Sequence, residues 1–366
     1  MSQTVQIPNS AVSDTPLVAG LAAENGAPER AMQRGANTPL RFAGNPTELE
    51  DLLHGAGVFD LGYRTFVRVS GKDRVRWLNG MVTQGVKFMT PGQVAYTLVL
   101  NAQGRIQGDA DLYCHEDVLF LETDRSQTER LLTHFRRFII MDDVKLEETD
   151  ASITSLCIAG PKAPELLGAV GATVPEAGMF GAATLAGETV TVAHGYSPVV
   201  PRFEIHVPVH RAVALWKALI AAGATPCGLE AAEDLRVLEG VPLYDVDFTD
   251  KNLPQETNLL RALNFTKGCY IGQEIVERIR ARATVHRTLR QFELSGEARR
   301  LAPGEKVELR AGGVAVGELT SVAAVQLPDL RKNLALGIVR TEALEQNEAL
   351  EYDGGQATPV PLPPQL

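Results

Sequence analysis

The residues best suited to chemistry lie close together in the octapeptide Lys267–Glu274, which reads K-G-C-Y-I-G-Q-E. Cys269 follows a glycine and lies two residues from Lys267. An apolar pattern with helical spacing follows at Ile271, Ile275, Val276 and Ile279, so a helix is predicted to begin at or near Cys269. Helix N-termini favour anions, and Lys267 adds a positive charge. This placement favours the reactive thiolate, although most lone cysteines are buried structural thiols.

The octapeptide resembles the K-G-C-Y-x-G-Q-E signature of the YgfZ-type folate-binding proteins. These are relatives of the glycine-cleavage T protein that support iron–sulfur enzymes. The resemblance implies Cys269 as the functional thiol, with Lys267 beside it, and Tyr270 and Gln273 as residues near the cofactor. It also implies tetrahydrofolate as the cofactor, or a one-carbon-substituted or polyglutamylated folate. Aminomethyltransferases are similar to this chain elsewhere but usually lack this cysteine.

A predicted hairpin carries a second group of candidates. Two strands flank the turn 101–104, and the segment resembles the T-protein hairpin that holds two adjacent catalytic aspartates. The resemblance points to Asp109 for catalysis and to Asn101 for cofactor binding, although a solvated aspartate is the ordinary alternative. Here the first aspartate is replaced by Gly108. Because glycine cannot exchange protons, this difference argues against glycine cleavage.

Three further residues are candidates for folate binding. Glu204, in Phe-Glu-Ile, matches the end of the family segment G-Y-T-G-E…F-E-I, whose T-G-E core is missing here. A carboxylate accepts the paired N–H donors of a pterin, so Glu204 is the favoured anchor. Asp60 lies in a matching G-V-F-D stretch, and Arg236 lies in a matching helix. The structural alternatives are an outward-facing Glu204 and an Arg236–Glu239 pair.

A basic cluster follows the octapeptide, in a protein whose formal net charge is −10. Arginine forks bind carboxylates well, so the cluster is a candidate site for a polyglutamate tail. A solvated helix face is the alternative. The members of the cluster are Arg278, Arg280, Arg282, His286, Arg287 and Arg290.

Composition excludes several classes of function. The acidic net charge argues against nucleic-acid and anionic-membrane binding, and no apolar run is long enough to span a bilayer. The four cysteines are widely separated and lack metal-finger spacing, so no metal site is predicted. A reduced, cytoplasmic compartment is expected. A monomer is expected as well.

The 366 residues predict several domains. Helices and strands interleave in residues 48–150 and again in residues 151–245, which predicts two α+β domains, with 246–284 returning to the first. Short alternating strands predict a β-barrel at 285–358. Residues 1–38 are expected to be a disordered leader, and residues 359–366 an extended tail. The resemblance implies a T-protein-like cloverleaf of two ferredoxin-like α+β domains and a barrel around a folate pocket.

The sequence therefore predicts a tetrahydrofolate-binding protein that supports iron–sulfur cluster assembly or repair in client enzymes. The first alternative is a folate-dependent aminomethyltransferase or methyltransferase. The second is a binding or scaffold protein in which Cys269 is structural.

Overall fold

The computed structural model describes residues 13–361, except residues 25, 27, 150–151, 283–284, 329 and 347–348. Its helices are α1 (Pro16–Ala23), α2 (Asn45–His54), α3 (Arg74–Met81), α4 (Arg125–Arg136), α5 (Ala163–Ala169), α6 (Ala212–Ala221), α7 (Leu229–Leu238), α8 (Gln273–Arg282) and α9 (Thr341–Glu345). Among these described helices, none is both long and apolar enough to cross a membrane.

The strands form four sheets. Those of the first 150 residues are β1 (Ser13–Asp14), β2 (Glu29–Gln33), β3 (Ala36–Arg41), β4 (Gly57–Asp60), β5 (Arg64–Ser70), β6 (Val94–Leu100), β7 (Ile106–Cys114), β8 (Leu119–Asp124) and β9 (Lys145–Glu148). The next are β10 (Ile153–Ala159), β11 (Phe180–Leu185), β12 (Glu188–His194), β13 (Arg202–Pro208) and β14 (Thr225–Pro226). The last are β15 (Arg287–Leu294), β16 (Val307–Ala311), β17 (Val314–Gln326), β18 (Arg331–Arg340), β19 (Leu350–Tyr352) and β20 (Gly355–Val360).

Two of these sheets belong to α+β domains. The first has the strand order β6-β7-β8-β5-β9, and the second has the order β11-β12-β13-β10-β4-β14. α4 shows how the helices attach, since Leu131 and Phe135 lie one turn apart and are both buried in the first domain's core. β15–β20 close into a barrel in the order β15-β18-β17-β16-β19-β20. The predicted fold class, two α+β domains and a C-terminal β-barrel, is confirmed.

The expectation of a disordered leader is wrong for the described part of residues 1–38. β1, β3 and β2 form a small sheet, and α1 buries Leu17 and Val18. Thr15 caps α1 by accepting the N–H of Val18, and Pro16 follows at the first helical position. The segment is polar because it packs only a few apolar side chains against the rest of the chain. Composition alone therefore resembled disorder. Residues 1–12 lie outside the described residues.

Two predicted boundaries also differ from the structure. β4 pairs with β10 of the second domain, so residues 57–60 do not belong to the first sheet. All four β4 residues are buried, which suits an interior strand. Residues 359 and 360 were expected in the tail, yet they pair with β15 in the barrel. Pro359 is tolerated because this end of β20 pairs on one side only. Residues 362–366 lie outside the described residues.

Candidate functional site

A cavity of about 620 Å³ lies where the N-terminal hairpin, the two α+β sheets and α7 meet. This volume lies within the range of small-molecule sites. Four of the predicted site residues line it, namely Asp60, Asp109, Glu204 and Arg236. The other five predicted residues do not line it, namely Asn101, Lys267, Cys269, Tyr270 and Gln273. The structure therefore brings together only part of the set that the sequence suggested.

Glu204 lies in the interior of the second sheet. Its strand, β13, runs between β10 and β12, and Glu204 faces Cys157 on one side and Ala193 on the other. The residue is only 5% exposed. Its carboxylate accepts a hydrogen bond from Arg202 at 3.0 Å and a longer contact from Arg64 at 3.5 Å. Glu204 is thus a buried anion at the cavity wall, and the outward-facing alternative is excluded.

Arg64 connects the two sheets. Its guanidinium donates to Asp111 at 2.6 Å and lies 3.5 Å from both Glu122 and Glu204. Burial alone would raise the pKa of Glu122, but Arg64 and His206 outweigh it and bring that pKa to about 2. Glu122 therefore stays ionised at neutral pH.

Three ligand-type side chains meet beside Arg64. The relevant atoms of Glu122, Glu204 and His206 lie within 4.8 Å of one another, a spacing that a metal ion could bridge. Arg64 contacts both carboxylates, so the guanidinium already supplies the positive charge there. A second cation in the same place would be repelled. We therefore interpret this group as an ion-pair network.

Asp109 is held by a second network. Tyr96 donates to its carboxylate at 2.6 Å and Gln127 donates at 2.8 Å, while the backbone N–H of Asp109 donates to Gln127 at 3.0 Å. Burial and the neighbouring Asp124 carboxylate raise the pKa of Asp109. Its protonated form therefore persists to higher pH than in water, which suits a group that exchanges protons.

Gly108, where the family pattern has an aspartate, does not line the cavity. A Cβ at this position would lie 2.7 Å from Gln127 Oε1 and 2.8 Å from a methyl group of Leu131. An aspartate at position 108 would thus point toward α4. The carboxylate that lines the cavity, that of Asp109, is present. Gly108 is therefore compatible with one-carbon transfer at Asp109.

The N-terminal hairpin closes one side of the cavity. Arg34, at its turn, forms an ion pair with Asp124 and donates to the carbonyl of Tyr244 at 2.9 Å. The hydroxyls of Thr15 and Thr38 both donate to Asp60, which also accepts the N–H of Gly62. Burial raises the pKa of Asp60 to about 6. The Asp60 carboxylate thus accepts three hydrogen bonds from within the protein, and those from Thr15 and Thr38 hold the N-terminal segment in place.

The guanidinium of Arg236 also forms its hydrogen bonds within the protein. Its guanidinium donates to Glu233, Asp247, the carbonyl of Val241 and the hydroxyl of Ser321. With the second Glu233 contact at 2.9 Å, all five N–H groups are used within the protein. Ser321 lies in β17, so Arg236 fastens α7 to the barrel and has no donor left for a ligand. The predicted pair with Glu239 does not form, since Glu239 accepts from Ser197 instead.

A search of family models matches residues 23–267 of the chain to the GCVT N-terminal domain. The protein belongs to the GCVT family. It is 28% identical over 337 residues to an aminomethyltransferase of Nostoc sp., covering 89% of this chain and 88% of the relative. It is also 28% identical to an aminomethyltransferase of Streptomyces coelicolor, with 83% and 84% covered.

Among solved structures, the glycine cleavage system aminomethyltransferase T from Bartonella henselae is similar in fold. The two superpose with a TM-score of 0.85 over 97% of this chain and 98% of the other, at 18% identity. At this identity, the likeness establishes the shared fold. The arrangement of two α+β domains and a barrel in this GCVT-family protein is therefore the T-protein fold.

The cysteine motif of this GCVT-family protein forms a separate surface loop. Cys269 is exposed, whereas the other three cysteines are buried. The helix predicted to begin at or near Cys269 is α8, which begins at Gln273, so Cys269 precedes the helix and lies in the loop. Gly272, with φ of +82°, approaches the carbonyl of Asn101 closely and separates the loop from the helix. Asn101 itself accepts the N–H groups of Gln103 and Arg105, so it shapes the hairpin turn.

Lys267 and Tyr270 anchor this loop. Lys267 is 1% exposed and donates to the carbonyls of Asn79 and Val82 at the end of α3. Burial and the nearby charge of Lys87 lower the pKa of Lys267 to about 7. Tyr270 is buried, with the Lys267 ammonium 4.6 Å from its ring centre. The structure thus gives these two motif residues the role of holding Cys269 at the surface.

Among the residues of the site that sequence reasoning missed are Arg64, Tyr96, Gln127, Arg202 and Arg261. Tyr96 could have been found by counting outward from the hairpin turn, because β6 and β7 pair Tyr96 with Asp111 and Leu98 with Asp109. Arg202 could have been found as the residue two before Glu204 on one strand. The remaining three meet the site only through contacts between distant elements.

Proposed function

We propose that this GCVT-family protein binds tetrahydrofolate, or a one-carbon-substituted or polyglutamylated folate, in the central cavity. The carrying observation is the buried cluster in which Asp111, Glu122 and Glu204 share two guanidinium groups, those of Arg64 and Arg202. Such a cluster is rich in acceptors. The 2-amino group and ring N–H of a pterin supply the donors that it lacks, with Glu204 as the anchor.

Aminomethyl transfer is the first activity that we propose for the folate complex. The relatives named above are aminomethyltransferases, and Asp109 retains a cavity-facing carboxylate whose pKa is raised. When a folate nitrogen forms its bond to the one-carbon unit and the bond from that carbon to the departing amine breaks, the carboxylate takes the proton that the folate nitrogen loses and returns it to the amine. Tyr96 and Gln127 orient the carboxylate for that role.

Calorimetric titration with tetrahydrofolate, beside a glycine-cleavage assay, tests both statements. Glu204→Gln should weaken binding about 10- to 100-fold, because it removes a charge-assisted contact. Glu188→Gln is the matched control, since Glu188 is an ion-paired residue of the same sheet outside the cavity. Asp109→Asn should bind folate and lose transfer. An unchanged dissociation constant in Glu204→Gln would remove Glu204 from the site.

Support of iron–sulfur enzymes, through Cys269, is the second candidate function. The observation that favours it is the anchored loop, which exposes the one thiol of the K-G-C-Y-I-G-Q-E motif. An exposed thiol outside the folate cavity is accessible to a protein partner. This reading keeps the cytoplasm as the expected compartment and iron–sulfur enzymes as the expected clients.

Two variants separate the candidates. If the iron–sulfur role holds, Cys269→Ser lowers the activity of iron–sulfur enzymes in cells and leaves folate binding intact. If aminomethyl transfer is the function, Asp109→Asn abolishes glycine cleavage in vitro while Cys269→Ser does not. Wild-type iron–sulfur enzyme activity in cells that carry Cys269→Ser would reject the second candidate.

A further inference from the structure

One cavity-lining arginine differs from the others. Arg34, Arg64, Arg202 and Arg236 each pair with a carboxylate. Within the part of the chain that the structure describes, Arg261 contacts no carboxylate. Arg261 therefore brings to the cavity a positive charge that the protein itself does not neutralise.

The side chain of Arg261 is nevertheless held firmly. Its guanidinium carbon lies 4.0 Å from the ring centre of Tyr96 and 4.0 Å from that of Tyr196. Both contacts are of the cation–π type, which fixes the plane of the group. The Nε atom is buried and has no hydrogen-bond partner. A guanidinium stacked on aromatic rings keeps its edge, which carries the N–H groups, for an anion.

The surroundings give this cavity two different ends. Glu204 is 5% exposed, so the acidic cluster lies deep. Tyr196 is 51% exposed, so the stacked arginine lies where the cavity meets solvent. A ligand that fits both ends carries N–H donors at its head and a negative charge at its tail.

We infer that Arg261 binds a carboxylate of the glutamyl tail of the bound folate. This inference rests on the proposed folate site. The arginine fork matches a carboxylate in two-point geometry, and the tyrosine stack has already fixed it, so little side-chain freedom is lost on binding. Arg261 thereby replaces the surface cluster at 278–290 as the tail contact. In that cluster Arg280 pairs with Glu277 and Arg287 with Glu256, and none of the members whose side chains the structure describes lines the cavity.

The test compares two ligands on the full chain by calorimetry, tetrahydrofolate and tetrahydropteroylamide, in which a neutral amide replaces the glutamyl group and no carboxylate remains. Wild type should prefer tetrahydrofolate at least about tenfold, as expected for a charge-assisted two-point contact. Arg261→Gln should lose that preference while keeping its affinity for tetrahydropteroylamide. Arg261→Lys should keep part of it. Arg280→Gln is the matched control, because Arg280 also stacks on an aromatic ring, Phe265 at 4.2 Å, but lies outside the cavity.

Each outcome decides one statement. If wild type binds neither ligand, the proposed folate site fails. If wild type binds both equally, the folate site stands and the role of Arg261 is overturned. Equal weakening of both ligands in Arg261→Gln also overturns it, since the stack would then be structural. Should Arg261→Gln not fold, the ligand preference of Arg261→Lys decides, and a full wild-type preference there would contradict the two-point contact.

Discussion

The central cavity and the cysteine loop present their reactive groups in opposite ways. In the cavity, Glu204 and Asp109 are buried and each is held by several hydrogen-bonded partners. In the loop, Lys267 is the buried residue and Cys269 is left at the surface. Residues that the sequence predicts as one site therefore form two. The cavity groups are enclosed by the N-terminal hairpin, the two α+β sheets and α7, while the thiol is displayed by a short, anchored segment.

The largest effect is expected from restoring the aspartate that the family pattern has at position 108. Gly108→Asp places a side chain within 3 Å of Gln127 and Leu131, and Gln127 is the residue that orients Asp109. Overpacking and a newly buried charge together should lower the free energy of unfolding by about 4 kcal/mol. Urea denaturation measures this. If Gly108→Asp folds as well as wild type and exceeds it in transfer activity, position 108 belongs to the cavity and not to the helix side of β7.

The next effect tests the anchor of the loop. Lys267→Met leaves the carbonyls of Asn79 and Val82 without their donor, which should cost about 3 kcal/mol of unfolding free energy. Lys87→Met is the control. Lys87 is exposed, and its positive charge repels the ammonium of Lys267 and so does not stabilise the loop. The same urea series serves both variants. Equal stability of Lys267→Met and wild type would mean that the loop needs no anchor.

The two regions were predictable to different degrees. Strand alternation and the family patterns identified Asp109 and Glu204, because a strand residue and its neighbours at ±2 face one side. Lys267 could not be placed, since its partners are the end carbonyls of α3, almost 190 residues away in the chain. The place of Arg34 in the cavity wall could not be predicted for a similar reason. Its burial depends on Asp124 and on a hairpin whose polar composition resembled a leader.

The third prediction concerns pH and the hairpin side of the cavity. Because the pKa of Asp60 is raised to about 6 in the folded state, the folded chain binds more protons than the unfolded chain between about pH 4 and 6. Ionised Asp60 therefore costs stability as the pH rises through this window. Asp60→Asn should remove that cost and gain about 2 kcal/mol relative to wild type between pH 4 and pH 7.

Thermal unfolding of both proteins across this pH range measures the difference. Asp117→Asn is the control, because Asp117 is an exposed aspartate outside the cavity. A constant stability difference between Asp60→Asn and wild type, at every pH, would contradict the buried, proton-binding Asp60.

The smallest effect on stability is expected at Cys269. Because its side chain is exposed, Cys269→Ser should change the free energy of unfolding by less than about 0.5 kcal/mol.

The same substitution should abolish the alkylation of the native protein by thiol reagents. Burial raises the pKa of Cys157 to about 12 and also raises the pKa of Cys114 and of Cys227, so these thiols are both enclosed and protonated. Iodoacetamide at neutral pH should therefore modify one thiol in the native wild type, none in Cys269→Ser and four in the denatured wild type, as counted by mass spectrometry. Modification of a second native thiol would show that the enclosure of the other cysteines is incomplete. A large loss of stability in Cys269→Ser would make the residue structural and remove the contrast between the loop and the cavity.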